Sequence, residues 1–426
     1  MRILVISPNY SPELIGIGKF NGEMASWLAR RGHEVRVVTA PPHYPHWRVC
    51  AGYYGFRYQK EKIEEVTVIR CPIFVPRSAS ALGRLIHLAS FGIFSLPVVL
   101  ALGLLWHPDV VLVVEPPLFA APGALLAAKF AGVTAHLHVQ DFEVDAAFRL
   151  GLLKGDRVQR IAFAVERWVM RRFGAVSTIS SRMAIHLSRK GIAEASIRVF
   201  PNWADMERFR PLDHPNPWRS RLGVEPDDVV VLYSGNFGRK QGLETLVATA
   251  RRLAGRADIR FVLCGNGAGR ADLERAATGL ANVSFLPLQP VEELNALLNA
   301  ADIHVLPQRA DVADLVMPSK LGGMLASGRP VVAGAAPGTQ VYDMVQDCGV
   351  AVAPEDAREM SLAIEALAGD RERRIRLGAA ARAKALEHWD RDVTLRRLEA
   401  FLLGTEGLEE SPASAPMRTS EPVGGC

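Results

Sequence analysis

The chain has 426 residues, 49% of them hydrophobic and 22% charged, with a net charge of +5. That length exceeds what one ordinary hydrophobic core fills, so two domains of roughly 200 residues each are expected. The 50 basic and 45 acidic residues are interleaved, without a basic stripe, helix-turn-helix spacing or zinc-finger spacing; this argues against nucleic acid as a partner and for small anionic ligands or a membrane surface.

Five cysteines, Cys50, Cys71, Cys264, Cys348 and Cys426, are scattered and never form a Cys-x-x-Cys pair, the pattern of a reduced, cytosolic protein. The apolar opening run turns polar at once and is too brief for a secretory leader.

Along the chain, short Val- and Ile-rich runs alternate with helical patterns, which marks parallel sheets covered on both faces. In the first half, strands are expected at 2–7, 34–40, 66–71, 110–115, 135–140, 176–180 and 198–201. The turn after the first strand carries Gly16 and Gly18 ahead of a helix expected at 21–31. Glycines there let backbone N–H groups approach a phosphate at a helix N-terminus, although a plain strand-to-helix turn reads the same way.

From Leu85 to Pro108 there is no Asp, Glu, Lys or Arg, long enough for a membrane span. Pro97 interrupts it and a buried strand follows directly, so the expectation is a buried or interfacial helix of the first domain. At the end of the strand 135–140, His136, His138 and Gln140 share one face and Asp141 lies just beyond. His138 and Gln140 with the three carboxylates Asp141, Glu143 and Asp145 can hold sugar hydroxyls or move a proton, while His138 with Asp141 can equally be ordinary structural residues.

Between 202 and 228 the alternation lapses into Trp, Asp, Arg and Pro, with Pro211, Pro215, Pro217 and Pro226 breaking any long helix, so the linker is placed there. Strands resume at 229–234, 259–264, 283–286, 303–307, 331–334 and 350–353. Gly235, Asn236, Arg239 and Lys240 follow the first of these, joining a glycine turn to two cations beside a helix start, an arrangement suited to a diphosphate. Gly265 closes the next strand, either near a nucleotide or as a turn glycine. Pro318, Ser319 and Lys320 open a helix with a hydroxyl and an ammonium, a second anion-binding arrangement or an ordinary cap. Residues 371–403 read as helix, and 404–426, rich in Ser, Pro, Glu and Gly, as a disordered tail. Neither His43 with His46 nor Asp390 with Asp392 forms a metal set, so no metal or cofactor is expected.

Taken together, several segments resemble the family-4 retaining glycosyltransferases, and within them the WcaI-type enzymes of colanic acid synthesis. The resemblance is carried by Ser11-Pro12-Glu13-Leu14 with Gly16-Ile17-Gly18-Lys19, by Val38 to Pro42 with Tyr44-Pro45, and by Gln140-Asp141 with Glu143-Val144-Asp145-Ala146. It continues in Ser177-Thr178-Ile179-Ser180, Phe200-Pro201-Asn202-Trp203, Tyr233-Ser234-Gly235-Asn236, Lys240 to Glu244 and Pro318-Ser319-Lys320-Leu321.

The resemblance implies a GT-B fold, two Rossmann-like doubly wound domains facing a central cleft. An acceptor domain at 1–204 and a nucleotide-sugar domain at 205–385 follow, with the last helix, about 386–403, packing back on the first. It also implies retention of configuration, a GDP- or UDP-linked donor such as GDP-fucose, a lipid-linked acceptor, and a peripheral place at the inner face of the cytoplasmic membrane. Lys240 and Arg239, with the backbone at Gly16, Gly18 and Gly235, would stabilise the leaving diphosphate. Ser319 and Lys320 would anchor the nucleotide, and Asp141 with His138 the sugar or acceptor.

Two departures stand out. The family's paired glutamates fall at Leu315 and Gly323, with Asp311 and Asp314 nearby, and Gln241 stands where its lysine precedes the glycine. A weakly active or inactive sugar-nucleotide-binding scaffold and a sugar-nucleotide epimerase are the competing readings.

Overall fold

The computed structural model describes residues 1–14, 16–76, 81–149, 155–212, 216–238, 241–310, 318 and 320–405. Within them the first sheet is built from β1 (Arg2–Ile6), α1 (Ile17–Arg30), β2 (Glu34–Thr39), β3 (Gln59–Ile63), β4 (Val66–Arg70), α2 (Ala81–Leu105), β5 (Val110–Glu115), α3 (Ala121–Ala131), β6 (Ala135–Val139), α4 (Glu143–Arg149), α5 (Asp156–Met170), β7 (Ala175–Thr178), α6 (Ser181–Arg189) and β8 (Ile197–Val199). Its strand order is β3-β4-β2-β1-β5-β6-β7-β8. All pairings are parallel except β3 with β4.

The central strands are buried on both faces, which is why they read as unbroken apolar runs. Leu4, Ile6, Val111 and Val113 enter the core under α2, α3, α5 and α6, while Ile3, Val5, Leu112 and Val114 enter the core under α1. β3 escaped the sequence reading because its Gln-Lys-Glu-Lys-Ile is polar on both faces. Lysine on an outermost strand deters further pairing, so an edge tolerates the pattern.

The second sheet follows with α7 (Pro217–Arg221), β9 (Val229–Ser234), α8 (Glu244–Arg252), β10 (Ile259–Cys264), α9 (Arg270–Ala276), β11 (Val283–Leu286), α10 (Val291–Ala300), β12 (Ile303–Leu306), α11 (Lys320–Ala326), β13 (Val331–Gly334), α12 (Gln340–Val345), β14 (Gly349–Val352), α13 (Ala357–Gly369), α14 (Arg371–Trp389) and α15 (Arg391–Leu403). Its order, β11-β10-β9-β12-β13-β14, is the doubly wound arrangement with its switch point between β9 and β12. The first sheet has the same switch point between β1 and β5.

Pro217 opens a helix of only 5 residues, in keeping with prolines that break any long one: Asn216 accepts the Trp218 N–H at 2.9 Å and proline occupies the first turn, where its missing N–H costs nothing. One expectation needed correction: the helix expected over 371–403 is two helices. Asp390 turns extended between them and caps α15 by accepting the Val393 N–H at 2.9 Å.

At that break the chain bonds back to the linker, with the Ala204 N–H donating to the Trp389 carbonyl at 2.9 Å. α15 then buries Leu395, Leu398, Phe401 and Leu402 in the core of the first sheet. Glu399, pinned between Arg31 and His33 at 2.9 Å each, fixes that return. Across the cleft Arg182 of α6 meets Asp343 of α12 at 2.8 Å. Both helices follow the carboxyl ends of their strands, so these edges of the two sheets face each other.

The apolar run after Leu85 forms α2, packed on the first sheet through Phe91, Val99, Leu102 and Trp106. It is long and apolar enough to cross a membrane, and only 33% of its most apolar window is buried inside the molecule. The tail from residue 406 onward lies outside the described residues.

Candidate functional site

At the second switch point, residues from both strand ends converge on one ammonium. β9 runs out into Gly235, with φ 154°, and α11 begins at Lys320. The Lys320 Nζ donates to Tyr233 Oη at 2.6 Å and to Gln241 Oε1 at 2.8 Å. Tyr233 in turn donates its proton to the Asn236 carbonyl at 2.8 Å, leaving a lone pair for the ammonium. Lys320 is half-buried as a residue, and its charged tip is the enclosed part. Because both partners are neutral, desolvation prevails and pushes its pKa down to about 7.

A Cβ at Gly235 would stand 3.2 Å from that ammonium, so glycine leaves the space before it open. Among the described residues Lys320 thus has no carboxylate partner, and an anion arriving beside it would restore its charge. The turn after β10 supports this cradle. Its backbone bonds to the first turn through Gly235 N–H to Cys264 O and Phe237 N–H to Asn266 O, both at 2.9 Å. Gly265 is glycine for packing, because a Cβ there would collide with the Gly235 carbonyl oxygen. Arg270, which the sequence reading passed over, braces this second turn against the end of β11 by donating to the Gly265 carbonyl at 2.6 Å, the Asn266 side chain at 3.1 Å and the Leu286 carbonyl at 3.0 Å.

Of the other residues expected here, Pro318 is half-buried and its carbonyl accepts the Leu321 N–H at 3.0 Å, opening α11. Arg239, Lys240 and Ser319 lie outside the described residues, as do Asp311, Asp314 and Leu315. Gly323 sits inside α11, where a Cβ would make an ordinary 3.7 Å contact with Leu298.

The first switch point carries the opposite chemistry. α1 begins earlier than expected, with Gly16 as its cap at φ 66°, so Gly18 falls in the first helical turn. A Cβ on Gly18 would lie 2.5 Å from Glu13 Oε2 and 3.2 Å from the Tyr10 nitrogen. The glycine thus makes room for a buried carboxylate. Glu13 accepts the N–H groups of His43 and Tyr44 at 3.0 Å each and the Asn9 amide at 2.9 Å. Burial raises its pKa against the pull of those three donors.

His138 is engaged on both nitrogens. It donates from Nδ1 to Ser177 Oγ at 2.9 Å and accepts at Nε2 from the Gln140 amide at 3.1 Å, while Gln140 and Asn202 bond each other at 2.8 and 3.1 Å. Burial pushes its pKa down to about 4. The cavity it lines with Trp203, Phe200 and Leu398 measures about 10 Å³, the lower limit for one water molecule, so no sugar reaches it there. His136 packs on Phe401 of α15, ring centroids 4.8 Å apart. Asp141 is half-buried just past β6.

Two further carboxyl groups stand at the same edge, Glu143, which the sequence offered with Asp141, and Glu115, which sequence reasoning missed. Glu115 ends β5 fully buried, and its two oxygens make no hydrogen bond among the described residues. Burial first, then the neighbouring Glu166 and Glu143, hold its pKa well above the carboxylate range. Glu143 opens α4 and accepts the Leu118 N–H at 3.3 Å, and burial pushes it up to about 7. Glu143 can therefore take or give a proton near neutral pH. The signal was available, since Glu115 is the only charge in a strand of five valines and leucines and lies at the end where doubly wound folds act.

Comparison with known proteins gives a consistent picture. Residues 16–203 match the glycosyl transferase 4-like domain and residues 228–370 the glycosyl transferases group 1. A protein of Escherichia coli named as a colanic acid biosynthesis glycosyl transferase, WcaI, is 44% identical over 363 residues, covering 83% of this chain and 88% of the relative. Among solved structures, the sucrose-phosphate synthase of Thermosynechococcus elongatus superposes with TM-score 0.71 at 18% identity, over 95% of this chain and 98% of that one. HepE of Anabaena, solved with UDP and glucose, gives 0.67 at 17% identity, over 95% and 100%. These structural likenesses establish the two-domain α/β GT-B fold.

Proposed function

The chain belongs to the glycosyltransferases that join a 4-like domain to a group 1 domain, and from that premise we propose that it transfers a sugar with retention from a nucleotide diphosphate to a lipid-linked oligosaccharide in colanic-acid-like exopolysaccharide synthesis. The observation that carries the reading is Lys320 beside the Gly235 turn at the switch point, held by Tyr233 and Gln241 with no carboxylate partner among the described residues.

In this reading the donor's diphosphate lies against Lys320 and the backbone of the Gly235 turn, and Lys240, Arg239 and Ser319, their neighbours in sequence, are the further candidates for it. As the bond from the anomeric carbon to the diphosphate oxygen breaks, negative charge grows on the leaving group. A fixed cation in an enclosed site stabilises that charge. The acceptor hydroxyl forms the new bond, and its proton leaves toward the departing diphosphate. Glu13, Glu143 and Asp141 on the facing edge suit sugar hydroxyls and disfavour a second anion, which supports an acceptor role for the first domain. GDP-fucose is the donor that the likeness to WcaI-type enzymes favours, and the exposed side of α2 is in keeping with a lipid-borne acceptor at the inner membrane face.

Thermal-shift titration with GDP, UDP, ADP and their sugar conjugates tests the donor side. One nucleotide diphosphate should stabilise the protein, by a few degrees at saturating concentration. NMR of the product should give the donor's own anomeric configuration. Inverted product, or no stabilisation by any nucleotide, contradicts the proposal.

A further inference from the structure

Large apolar side chains exposed to solvent concentrate on one layer of the molecule. Four project from α5 at helical spacing: Val158, Ile161, Val165 and Trp168, with Ile161 65% and Trp168 58% exposed. Steps of three, four and three put them on a single stripe. The same helix already buries Glu166, Val169 and Met170 against the first domain, so this stripe is a second apolar face turned outward.

Beside the stripe stand exposed Arg157, Arg160, Arg167 and Arg171, and Arg172 beyond the helix end lies 3.3 Å over the Trp168 ring. Among the described residues, none of these five guanidinium groups pairs with a carboxylate. The two acids of α5 do not neutralise them. Glu166 turns inward to Lys190, and Asp156, beside Arg157 and one turn from Arg160, meets Arg160 only through its backbone carbonyl.

The layer continues through α3 and α2, which pack on the same face of the sheet. Glycines draw those two helices together, since a Cβ on Gly103 would come within 2.7 Å of the Ala127 Cα. Their outer sides expose Ile93, Phe94, Leu104 and Leu105 of α2 and Leu126 and Phe130 of α3. Among the described residues of the second domain the exposed apolar side chains, such as Leu288 and Leu362, are scattered.

We propose that this outer layer seats on an anionic lipid bilayer, with α5 lying in the headgroup plane: its apolar stripe enters the acyl boundary and its arginines bind lipid phosphates. The chemistry of both halves fits that surface, because interfacial helices combine an apolar side bearing Trp with unpaired Arg or Lys. A second copy of the chain fits poorly, since a two-fold contact through this patch sets arginine against arginine. The proposal deepens the lipid-linked-acceptor reading and takes its biological sense from it, while α5 itself lies apart from the nucleotide cradle.

Sedimentation of the full chain with vesicles tests it, using phosphatidylcholine alone and phosphatidylcholine mixed with phosphatidylglycerol. The wild type should partition onto the anionic vesicles and be released by raised salt. The triple variant Arg157→Gln, Arg160→Gln, Arg167→Gln should lose partitioning by about 100-fold, roughly fivefold per arginine, while keeping the nucleotide-induced thermal shift of the wild type. Trp168→Ser with Ile161→Ser should weaken binding to the same vesicles with the charges intact. Equal binding to both vesicle types, wild-type partitioning by the triple variant, or a wild-type dimer that the Trp168 and Ile161 changes dissociate would each overturn it. Loss of nucleotide binding with vesicle binding retained would instead count against the transferase reading alone.

Discussion

The two switch points share one topology and differ in the charge they present. Around the ends of β1, β5 and β6 the chain gathers carboxyl groups, the buried Glu13 and Glu115 and the half-buried Glu143, whose pKa values desolvation raises. Beyond β9 and β12 the described residues place an ammonium, Lys320, whose pKa burial lowers to about 7. The doubly wound sheet supplies the position of a crevice in both cases, and the residues at its lip decide what is bound. A diphosphate belongs with the cation, and hydroxyl-rich sugars with the carboxyl groups.

Two enclosed lysines sharpen the contrast, because they differ only in what surrounds them. Lys190 in the first domain bonds Asp145 at 2.6 Å and also Glu166, and Asp145 accepts from His186 at 3.0 Å. Removing its charge leaves buried carboxylates unpaired, so Lys190→Met should cost ~3–5 kcal/mol of stability, measured by urea unfolding. Lys320→Met should behave oppositely. Its partners are neutral, so the fold should be nearly unaffected, while kcat/KM falls ~100- to 1,000-fold if the ammonium stabilises the leaving group. Equal stability losses in the two variants would erase the distinction.

A smaller effect follows from pH. A bound diphosphate favours the charged form of Lys320, so below about 7 the ammonium is already present and above it a proton must be taken up on binding. Affinity for the nucleotide should therefore fall as pH rises above that value, by up to about tenfold per pH unit. Calorimetry in buffers of different ionisation heat should register the proton uptake, and Lys320→Met should abolish it. The smallest effect concerns the returning helix: Glu399→Gln removes an ion pair whose Arg31 is half in water, and should cost ~0.5–1 kcal/mol in unfolding experiments.

Much of the architecture was legible in the sequence, because strands buried on both faces announce themselves as unbroken apolar runs. β5, Val-Val-Leu-Val-Val-Glu, is such a run, and β9 another. β3 was not legible, since an edge strand is stabilised by one neighbour and needs no apolar face. The site was legible only in outline. Glycine turns pointed to Gly235 and Lys320, yet Tyr233 and Gln241 meet that lysine from 87 and 79 residues away, and no local pattern carries such a pairing. Gly18 drew a phosphate reading from its place in a turn, while the space it leaves is filled by Glu13. His138 drew a catalytic reading from its place at a strand end, although Ser177 and Gln140 occupy both its nitrogens.

Crystals soaked with GDP or UDP give the most direct test of where the donor lies. The account predicts the diphosphate within hydrogen-bonding distance of Lys320 Nζ and the Gly235 turn. A diphosphate bound instead at the Glu13 and Gly16 edge of the first domain, or ordered nowhere in the cleft, would contradict it.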